Sequence, residues 1–146
     1  MNRRQQKATA AAAALLLLLF LARTCGRSAD GPWTRDELLA AIRHVESGNR
    51  DPAPDGDGGL AIGPYQIHRV YWQDAIAFRP ELGGGYQDCR RRDYAERVIE
   101  AYMQLWVPEA WQAVDAEVIA RTHNGGPKGA EKAATLRYWE RVQSAR

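Results

Sequence analysis

Hydrophobic residues after position 36 recur mostly every three or four positions, which is the period of an amphipathic helix. The first apolar face consists of Leu38, Leu39, Ile42 and Val45. Thr34 and Glu37 stand just before it with the spacing of a capping box, so we predict that a helix begins there. Gly48 ends the pattern, which places Glu46 in the last turn of this helix.

Four further segments have the same helical period, over residues 67–78, 93–106, 115–122 and 130–143. In the last of them we predict a buried stripe of Ala133, Leu136, Trp139 and Val142. Residues 49–63 hold two prolines, four glycines and three aspartates, a composition typical of tight turns, and we interpret them as an active-site loop. No segment alternates as a strand does. We therefore predict one compact, mainly α-helical domain.

The first 29 residues have the layout of a signal for export. Basic residues within 1–7 precede a run of Ala, Leu and Phe, interrupted by one Thr, from Ala8 to Ala22. As a helix this run would extend about 22 Å, less than the roughly 30 Å hydrocarbon core of a bilayer. We predict a signal peptide over 1–29, with an uncleaved membrane anchor as the alternative, and a secreted or periplasmic domain over 30–146.

Removal of the predicted signal reverses the charge of the chain. The full sequence has a formal charge of +2, whereas residues 30–146 hold 15 basic and 18 acidic residues. A slightly acidic domain lacks the basic surface that nucleic acid or an anionic membrane requires, so we expect neither as a stable partner. We interpret the triplet Arg90-Arg91-Arg92 as the solvated start of a helix, with binding of cell-wall anions as the alternative.

The cysteines and histidines point to a domain held together by packing. The chain has only Cys25 and Cys89, and loss of the first with the signal would leave no intrachain disulfide. Its histidines are His44, His68 and His123, and they show no paired metal-binding spacing, so we expect no metal and no cofactor. We expect His44 and His68 at the surface.

Carboxylates in the predicted loop and before it are candidates for glycoside cleavage. This reaction needs a carboxylic acid kept protonated near neutral pH, and apolar surroundings favour the protonated form. Glu46 follows Ile42 and Val45 and fits that role. A second carboxylate usually lies across the cleft, and the candidates are Asp51, Asp55 and Asp57. We favour Asp57, because flanking glycines let the backbone turn its side chain towards Glu46.

Several short motifs follow one another in a recognisable order. They are Val45-Glu46-Ser47-Gly48, Gly63-Pro64-Tyr65-Gln66-Ile67, Tyr71-Trp72, Ala101-Tyr102-Met103, His123-Asn124-Gly125-Gly126-Pro127 and Tyr138-Trp139. Over residues 36–143 the chain thereby resembles the invertebrate-type, or destabilase-like, lysozymes. The resemblance implies a lysozyme-like α+β fold with a small β-hairpin between the glutamate and the Gly-Pro-Tyr-Gln segment. It also implies that Glu46 is the catalytic glutamate and, with a shift of one residue, that Asp57 is the catalytic aspartate.

The same resemblance implies the residues of a substrate groove, where aromatic rings stack on sugars and amides bind N-acetyl groups. These are Tyr65, Gln66, His123 and Asn124. For His123 the alternative is a role in capping a helix end. Animal members are rich in disulfides, whereas this chain has Ile62, Ala75 and Val98 where the family pattern has cysteine. In this it resembles a cysteine-poor, bacterial-style branch.

The implied function is that of a muramidase, which hydrolyses the β-1,4 bond between N-acetylmuramic acid and N-acetylglucosamine. Glu46 would be the general acid and Asp57 the nucleophile or electrostatic partner. The alternatives are a lytic transglycosylase that uses Glu46 alone, an isopeptidase that uses Ser47 or Ser144, and a non-enzymatic wall-binding module. The expected partners are peptidoglycan glycan strands and a proteinaceous lysozyme inhibitor.

Overall fold

A computed structural model describes residues 31–146, and the predicted export segment 1–29 lies outside them. The described part contains six α-helices: α1 (Arg35–Ser47), α2 (Arg69–Phe78), α3 (Arg92–Trp106), α4 (Pro108–Ala113), α5 (Ala116–Gly125) and α6 (Leu136–Ser144). Two short strands, β1 (Ala61–Ile62) and β2 (Ile67–His68), form one antiparallel sheet. The prediction of a mainly α-helical fold with a small β-hairpin is confirmed. None of the helices in this part is long and apolar enough to cross a membrane.

Helix α1 begins and ends where the sequence predicts. The backbone N–H of Glu37 donates to Thr34 Oγ1 at 3.2 Å, and the Glu37 carboxylate accepts from the Thr34 N–H at 3.0 Å, which completes the capping box. Gly48 ends the helix in the left-handed conformation, with φ 63°, and donates its N–H to the carbonyl of His44. Glu46 is therefore held in the last turn, beside the loop that follows.

The hairpin differs in position from the one that the resemblance implies. Ala61 pairs with His68 and Ile62 with Ile67, so the Gly-Pro-Tyr-Gln segment is the turn between the strands and does not follow the hairpin. The side-chain amide of Gln66 donates to the carbonyls of Gly63, at 2.8 Å, and Pro54, at 3.0 Å. These bonds join the turn to the preceding loop.

A glycine is required at the start of this turn. Gly63 has φ 74°, and a Cβ at this position would lie 2.0 Å from the carbonyl oxygen of Cys89. The backbone of the turn thus packs directly on the backbone of the short 3₁₀ helix Tyr86–Arg90.

Other helix boundaries depart from the prediction for local reasons. Helix α2 starts at Arg69 because the two preceding residues belong to β2. Helix α5 continues to Gly125, three residues beyond the prediction, and Asp115 caps its start by accepting from the Val118 N–H at 3.2 Å. Helix α4 was not predicted, and it begins at a proline in the first helical position.

The predicted buried stripe of the last helix is wrong in part. Two 3₁₀ turns occupy residues 129–131 and 133–135, so α6 begins only at Leu136. Ala133 and Leu136 are exposed, whereas Tyr138 and Val142 are buried. Val142 is thus buried as predicted, whereas Tyr138 and not Leu136 faces the core in the first turns of this helix.

Helix α3 lies at the centre of the core and packs against α2, α4, α5 and the 3₁₀ helix Tyr86–Arg90. Its buried residues are Tyr94, Ala95, Val98, Ile99, Ala101, Tyr102 and Met103. The apolar residues at the implied cysteine positions, Ile62, Ala75 and Val98, are at most 1% exposed. Burial of a Val or Ile side chain stabilises a fold by about 1.5–3 kcal/mol. Within residues 31–146, buried apolar side chains therefore occupy the positions at which the resemblance implies disulfide-forming cysteines in animal members of the family.

Candidate active site

The end of α1, the hairpin, the end of α5 and helix α6 border a cleft of about 350 Å³. Its lining residues are Val45, Glu46, Asp57, Ala61, Gln66, His68, His123, Asn124, Tyr138 and Arg141. Five of the six site residues predicted from the sequence are therefore brought together here, namely Glu46, Asp57, Gln66, His123 and Asn124. Among residues 31–146, no three His, Cys, Asp or Glu side chains are grouped as a metal site would need.

Glu46 is the most enclosed carboxyl group of the cleft. Its side chain is 18% exposed. Its Oε1 atom accepts a hydrogen bond of 2.7 Å from the Tyr138 hydroxyl and lies 3.7 Å from His123 Nε2. The described residues form no hydrogen bond with Oε2. One carboxyl oxygen is thus held by the protein, while the other remains available for a substrate.

Tyr138 is the partner of Glu46 that the sequence did not predict. It lies on α6, is 6% exposed, and stands 92 positions from Glu46 in the chain. Burial, and then the nearby Glu46 carboxylate, raise the pKa of Tyr138 well above its usual value of 10.0. The hydroxyl therefore stays protonated and acts as a donor. The Tyr138-Trp139 motif marked this position, but helical periodicity predicted a different buried face.

His123 lies inside the protein behind Glu46. Its Nε2 atom is 3.1 Å from the carbonyl of Tyr65, and its Nδ1 atom is 3.3 Å from the hydroxyl of Tyr71. Burial lowers the pKa of His123 below 6.5, although the Glu46 carboxylate and the Tyr65 carbonyl oppose this shift. A neutral ring with its hydrogen on Nε2 satisfies both contacts, since Nε2 then donates to the carbonyl and Nδ1 accepts from the hydroxyl. The ring does not cap the helix end, so the capping alternative is wrong.

Asp57 supplies the second carboxylate of the cleft. It lies in a 3₁₀ turn with φ 48°, and its side chain is 68% exposed. One of its oxygens is 3.0 Å from Nε2 of His68, which is itself half-exposed. His68 is thus a surface residue, as predicted, and also part of the cleft.

Asp51 and Asp55, the other candidates for this role, do not line the cleft. Both oxygens of Asp55 are bound by the guanidinium of Arg90, and this hydrogen-bonded pair lowers the pKa of Asp55 below its usual value. Asp51 faces a separate cavity. The preference for Asp57 over its neighbours agrees with the position of all three side chains.

The structure contradicts a direct contact of the Tyr65 ring with substrate. The ring is 0% exposed, and its hydroxyl donates at 2.6 Å to Glu96, which is not part of the cleft lining. The residue contributes to the site through its backbone carbonyl, which holds His123. By contrast, Asn124 is exposed and Gln66 is half-buried, and both line the cleft.

Neither candidate serine is arranged for nucleophilic chemistry. Ser47 is 1% exposed, and its hydroxyl donates to the carbonyl of Arg43 at 3.1 Å. The hydroxyl of Ser144 donates to the carbonyl of Glu140 at 2.9 Å. Both hydroxyls close a turn of their own helix and have no neighbouring base, so the geometry does not support a serine isopeptidase.

A mainly helical domain with a small hairpin, whose cleft pairs one enclosed carboxyl group with one exposed carboxylate, defines a lysozyme-type glycoside hydrolase. The comparisons with known proteins agree. The model of the destabilase family matches residues 35–145. A lysozyme of Meretrix lusoria is 36% identical over 107 residues, which cover 72% of this chain and 84% of that protein. The chain belongs to the destabilase family, the family of the invertebrate-type lysozymes.

Solved structures show the same fold. The structure of Tapes japonica lysozyme matches with a TM-score of 0.61 and 28% identity, covering 73% of this chain and 85% of that one. The structure of Meretrix lusoria lysozyme in complex with Aeromonas hydrophila PliI matches with a TM-score of 0.63 and 30% identity, covering 78% and 92%. The predicted family, fold and enzyme class are thereby confirmed.

The buried His123 makes the stability of the fold depend on pH. Because its pKa is lower in the folded chain than in the unfolded chain, the unfolded chain binds more protons below about pH 6.5. The contribution of the neutral ring is therefore complete above pH 6.5 and is lost as the pH falls below it. We expect the free energy of unfolding, measured in urea at pH 7 and pH 5, to fall less in His123→Gln than in the wild type. His44→Gln, at an exposed position, is the control and should keep the wild-type difference; equal differences in all three proteins would contradict the assignment.

Proposed function

We propose that Glu46 is the general acid with which this peptidoglycan-cleaving muramidase protonates the oxygen of the scissile β-1,4 bond. The observation that carries the proposal is the enclosure of this one carboxyl group, at 18% exposure, on the wall of the cleft. The enclosed position holds the carboxyl group at the surface of the cleft, within reach of a glycosidic oxygen bound there, as a general acid requires. The unbound Oε2 atom would carry the proton that is transferred.

Tyr138 acts as a positioning residue for this step. As the proton leaves Glu46, negative charge grows on its two oxygens, and a hydroxyl that already donates to one of them stabilises this charge. Such a bond is stronger in the transition state than before it, and it therefore accelerates the reaction. His123, whose pKa is lowered by burial, adds a second polar group close to Oε1 without adding a charge.

Asp57 acts as the partner carboxylate, either as a nucleophile or by stabilising the positive charge that develops on the sugar. Its exposure keeps it accessible to the sugar, and one of its oxygens contacts His68. One enclosed and one exposed carboxyl group can thus perform different roles in one cleft. Gln66 and Asn124 are proposed to contact the sugar residues. The side chain of His123 is only 3% exposed, so we propose that it supports the wall of the cleft, where the Tyr65 carbonyl holds its ring.

The first test identifies the products that the full-length chain releases from purified peptidoglycan. We expect the wild type to release reducing ends and Glu46→Gln to be about a thousandfold slower, because an amide cannot donate the proton. Mass spectrometry of the released fragments measures both the rate and the chemical nature of the ends. The control is Glu109→Gln, which makes the same substitution on helix α4, outside the cleft lining. This variant should retain wild-type activity.

Asp57→Asn separates the two catalytic classes in the same assay. A hydrolase that needs the second carboxylate loses its activity, whereas a lytic transglycosylase retains it and releases anhydro ends. Full activity of Glu46→Gln would exclude Glu46 as the acid, and binding of wall without release by the wild type would indicate a binding module.

The role of Tyr138 predicts a change in one kinetic parameter. Tyr138→Phe removes the hydroxyl and keeps the buried ring, so we expect kcat to fall about tenfold with KM unchanged. Steady-state kinetics on a soluble glycan fragment measure both parameters. A rise in KM without a fall in kcat would show that Tyr138 serves substrate binding instead.

We also propose that the protein is exported, because of the pattern of residues 1–29. Locating the protein in fractionated cells would test this proposal. A proteinaceous inhibitor is proposed because Meretrix lusoria lysozyme has been crystallised with PliI. Addition of PliI should slow wall cleavage by this chain if the two lysozymes share that partner; an unchanged rate would remove the proposal.

A further inference from the structure

A second cavity, of about 410 Å³, lies beside the cleft and has an unusual lining. The lining consists of Arg43, Asn49, Arg50, Asp51, Ala53, Pro64, Arg90, Arg91 and Arg92. Five of these nine residues are arginines, which carry guanidinium groups, and one, Asp51, carries a carboxylate. We call it the arginine cavity. The proposed catalytic residues are not part of its lining.

Neighbouring carboxylates neutralise three of the five guanidinium groups. Arg90 binds both oxygens of Asp55. Arg91 donates to Asp93 at 2.9 Å, and Arg92 donates to Glu96 at 2.7 Å. The triplet connects the 3₁₀ helix Tyr86–Arg90 to α3, where the sequence predicts a helix start. Its three side chains are exposed and paired, so it does not by itself create an anion site.

Arg43 is different, because its charge is mostly buried and only partly compensated. Its side chain is 17% exposed, and its Nε donates to Asn49 at 2.7 Å. Its Nη1 is buried without a hydrogen bond and lies 3.8 Å from Glu96 Oε1. That oxygen already accepts from Tyr65 and Arg92. A buried guanidinium nitrogen without an acceptor is costly, and the shared Glu96 carboxylate compensates the charge of Arg43 only in part.

Arg50 meets Arg43 at the same cavity. Its Nε donates to the carbonyl of Ser47 at 2.8 Å, which fixes the direction of the guanidinium. Within residues 31–146 it forms no ion pair. The two arginines therefore have their Nε atoms bound inside the protein. Arg43 Nη2 and the two terminal nitrogens of Arg50 have no partner among the described residues, and these are the nitrogens that remain for a ligand. Two oriented guanidinium groups match the two oxygens of a carboxylate.

The single acid of the lining indicates which kind of anion fits. Asp51 is exposed and has no hydrogen bond or ion pair among the described residues. A cavity that offers guanidinium groups and a free carboxylate together suits a ligand that carries a carboxylate and an ammonium group. A phosphate polymer would be repelled by Asp51 and would leave it unpaired.

The arginine cavity and the cleft share three segments of the chain. Arg43 and Glu46 are one turn apart on α1, and Pro64 and Gln66 both belong to the turn of the hairpin. The loop between α1 and the hairpin supplies residues 49–53 to the cavity and Asp57 to the cleft. A polymer bound in the cleft would therefore have its side branches within reach of the cavity.

We propose that the arginine cavity binds the peptide branch of peptidoglycan, with Arg43 and Arg50 on a free carboxylate and Asp51 on the ammonium group of its diamino acid. The inference rests on the proposed function for its substrate. It goes beyond that function by giving the enzyme a site for the peptide in addition to the site for the sugars. Strands that carry peptides would then be preferred over bare glycan.

Direct binding tests the site independently of catalysis. The probe is the free peptide L-alanyl-γ-D-glutamyl-L-lysyl-D-alanyl-D-alanine, titrated calorimetrically into full-length Glu46→Gln, in which cleavage plays no part. We expect Arg50→Gln in this background to weaken binding about tenfold, since it removes charge-assisted hydrogen bonds at an exposed position that the fold does not require. Arg97→Gln, an exposed arginine of α3 outside both cavities, should bind the peptide as before. Equal binding by Arg50→Gln and its parent, or no binding by either, would overturn the proposal.

Kinetics with three substrates then identify the group that is recognised. In an otherwise wild-type chain, Arg50→Gln should raise KM about tenfold for glycan strands that carry peptides, and leave it unchanged for strands freed of peptide by an amidase. An equal rise on both would place Arg50 in sugar binding and overturn the proposal. A rise confined to wall that retains its phosphate polymers would identify phosphate as the ligand and would also overturn it. Peptide binding without any wall cleavage would leave the cavity supported and the proposed enzymatic function refuted.

Discussion

A hydrogen bond of 2.7 Å between Tyr138 and Glu46 connects the last helix of the chain to the first. Nearby, the guanidinium of Arg141 donates to the carbonyl of Val45 at 3.0 Å, and the rings of Trp33 and Trp139 pack 6.0 Å apart. These contacts place α6 against the end of α1, and the cleft exists because the two helices meet there. An enclosed carboxyl group without a partner would oppose this packing, so the same bond serves the fold and the chemistry.

Behind this bond lies a layer of stacked aromatic rings. Tyr71 packs face to face on Tyr102, with ring centres 3.5 Å apart, and its hydroxyl contacts His123. Helices α2, α3 and α5 are thereby joined under the floor of the cleft. The rigid layer fixes His123, and His123 in turn limits the space available to Glu46.

The parts of the molecule that follow local rules were predictable from the sequence. A capping box and a terminal glycine define α1, and the last-turn position of Glu46 follows from them. Tyr138 could not be assigned, because its burial depends on two 3₁₀ turns that shift the start of α6. Tyr65 was misassigned for a related reason: a tyrosine in a hairpin turn can face the groove or the core, and only packing against Glu96 decides between them. The arginine cavity could not be predicted from the sequence either, because Arg43 and Arg90 are far apart in the chain and only the fold brings them together.

Cys89 is the only cysteine of residues 31–146, and its surroundings make its thiol unreactive. Its thiol is fully buried under the hairpin turn, and burial raises its pKa to about 12, so at physiological pH it stays protonated and is a poor nucleophile. Among the described residues there is no second thiol with which it could react. Residues 31–146 thus contain no disulfide whose reduction could open the fold, and their stability rests on packing in reducing and in oxidising surroundings alike.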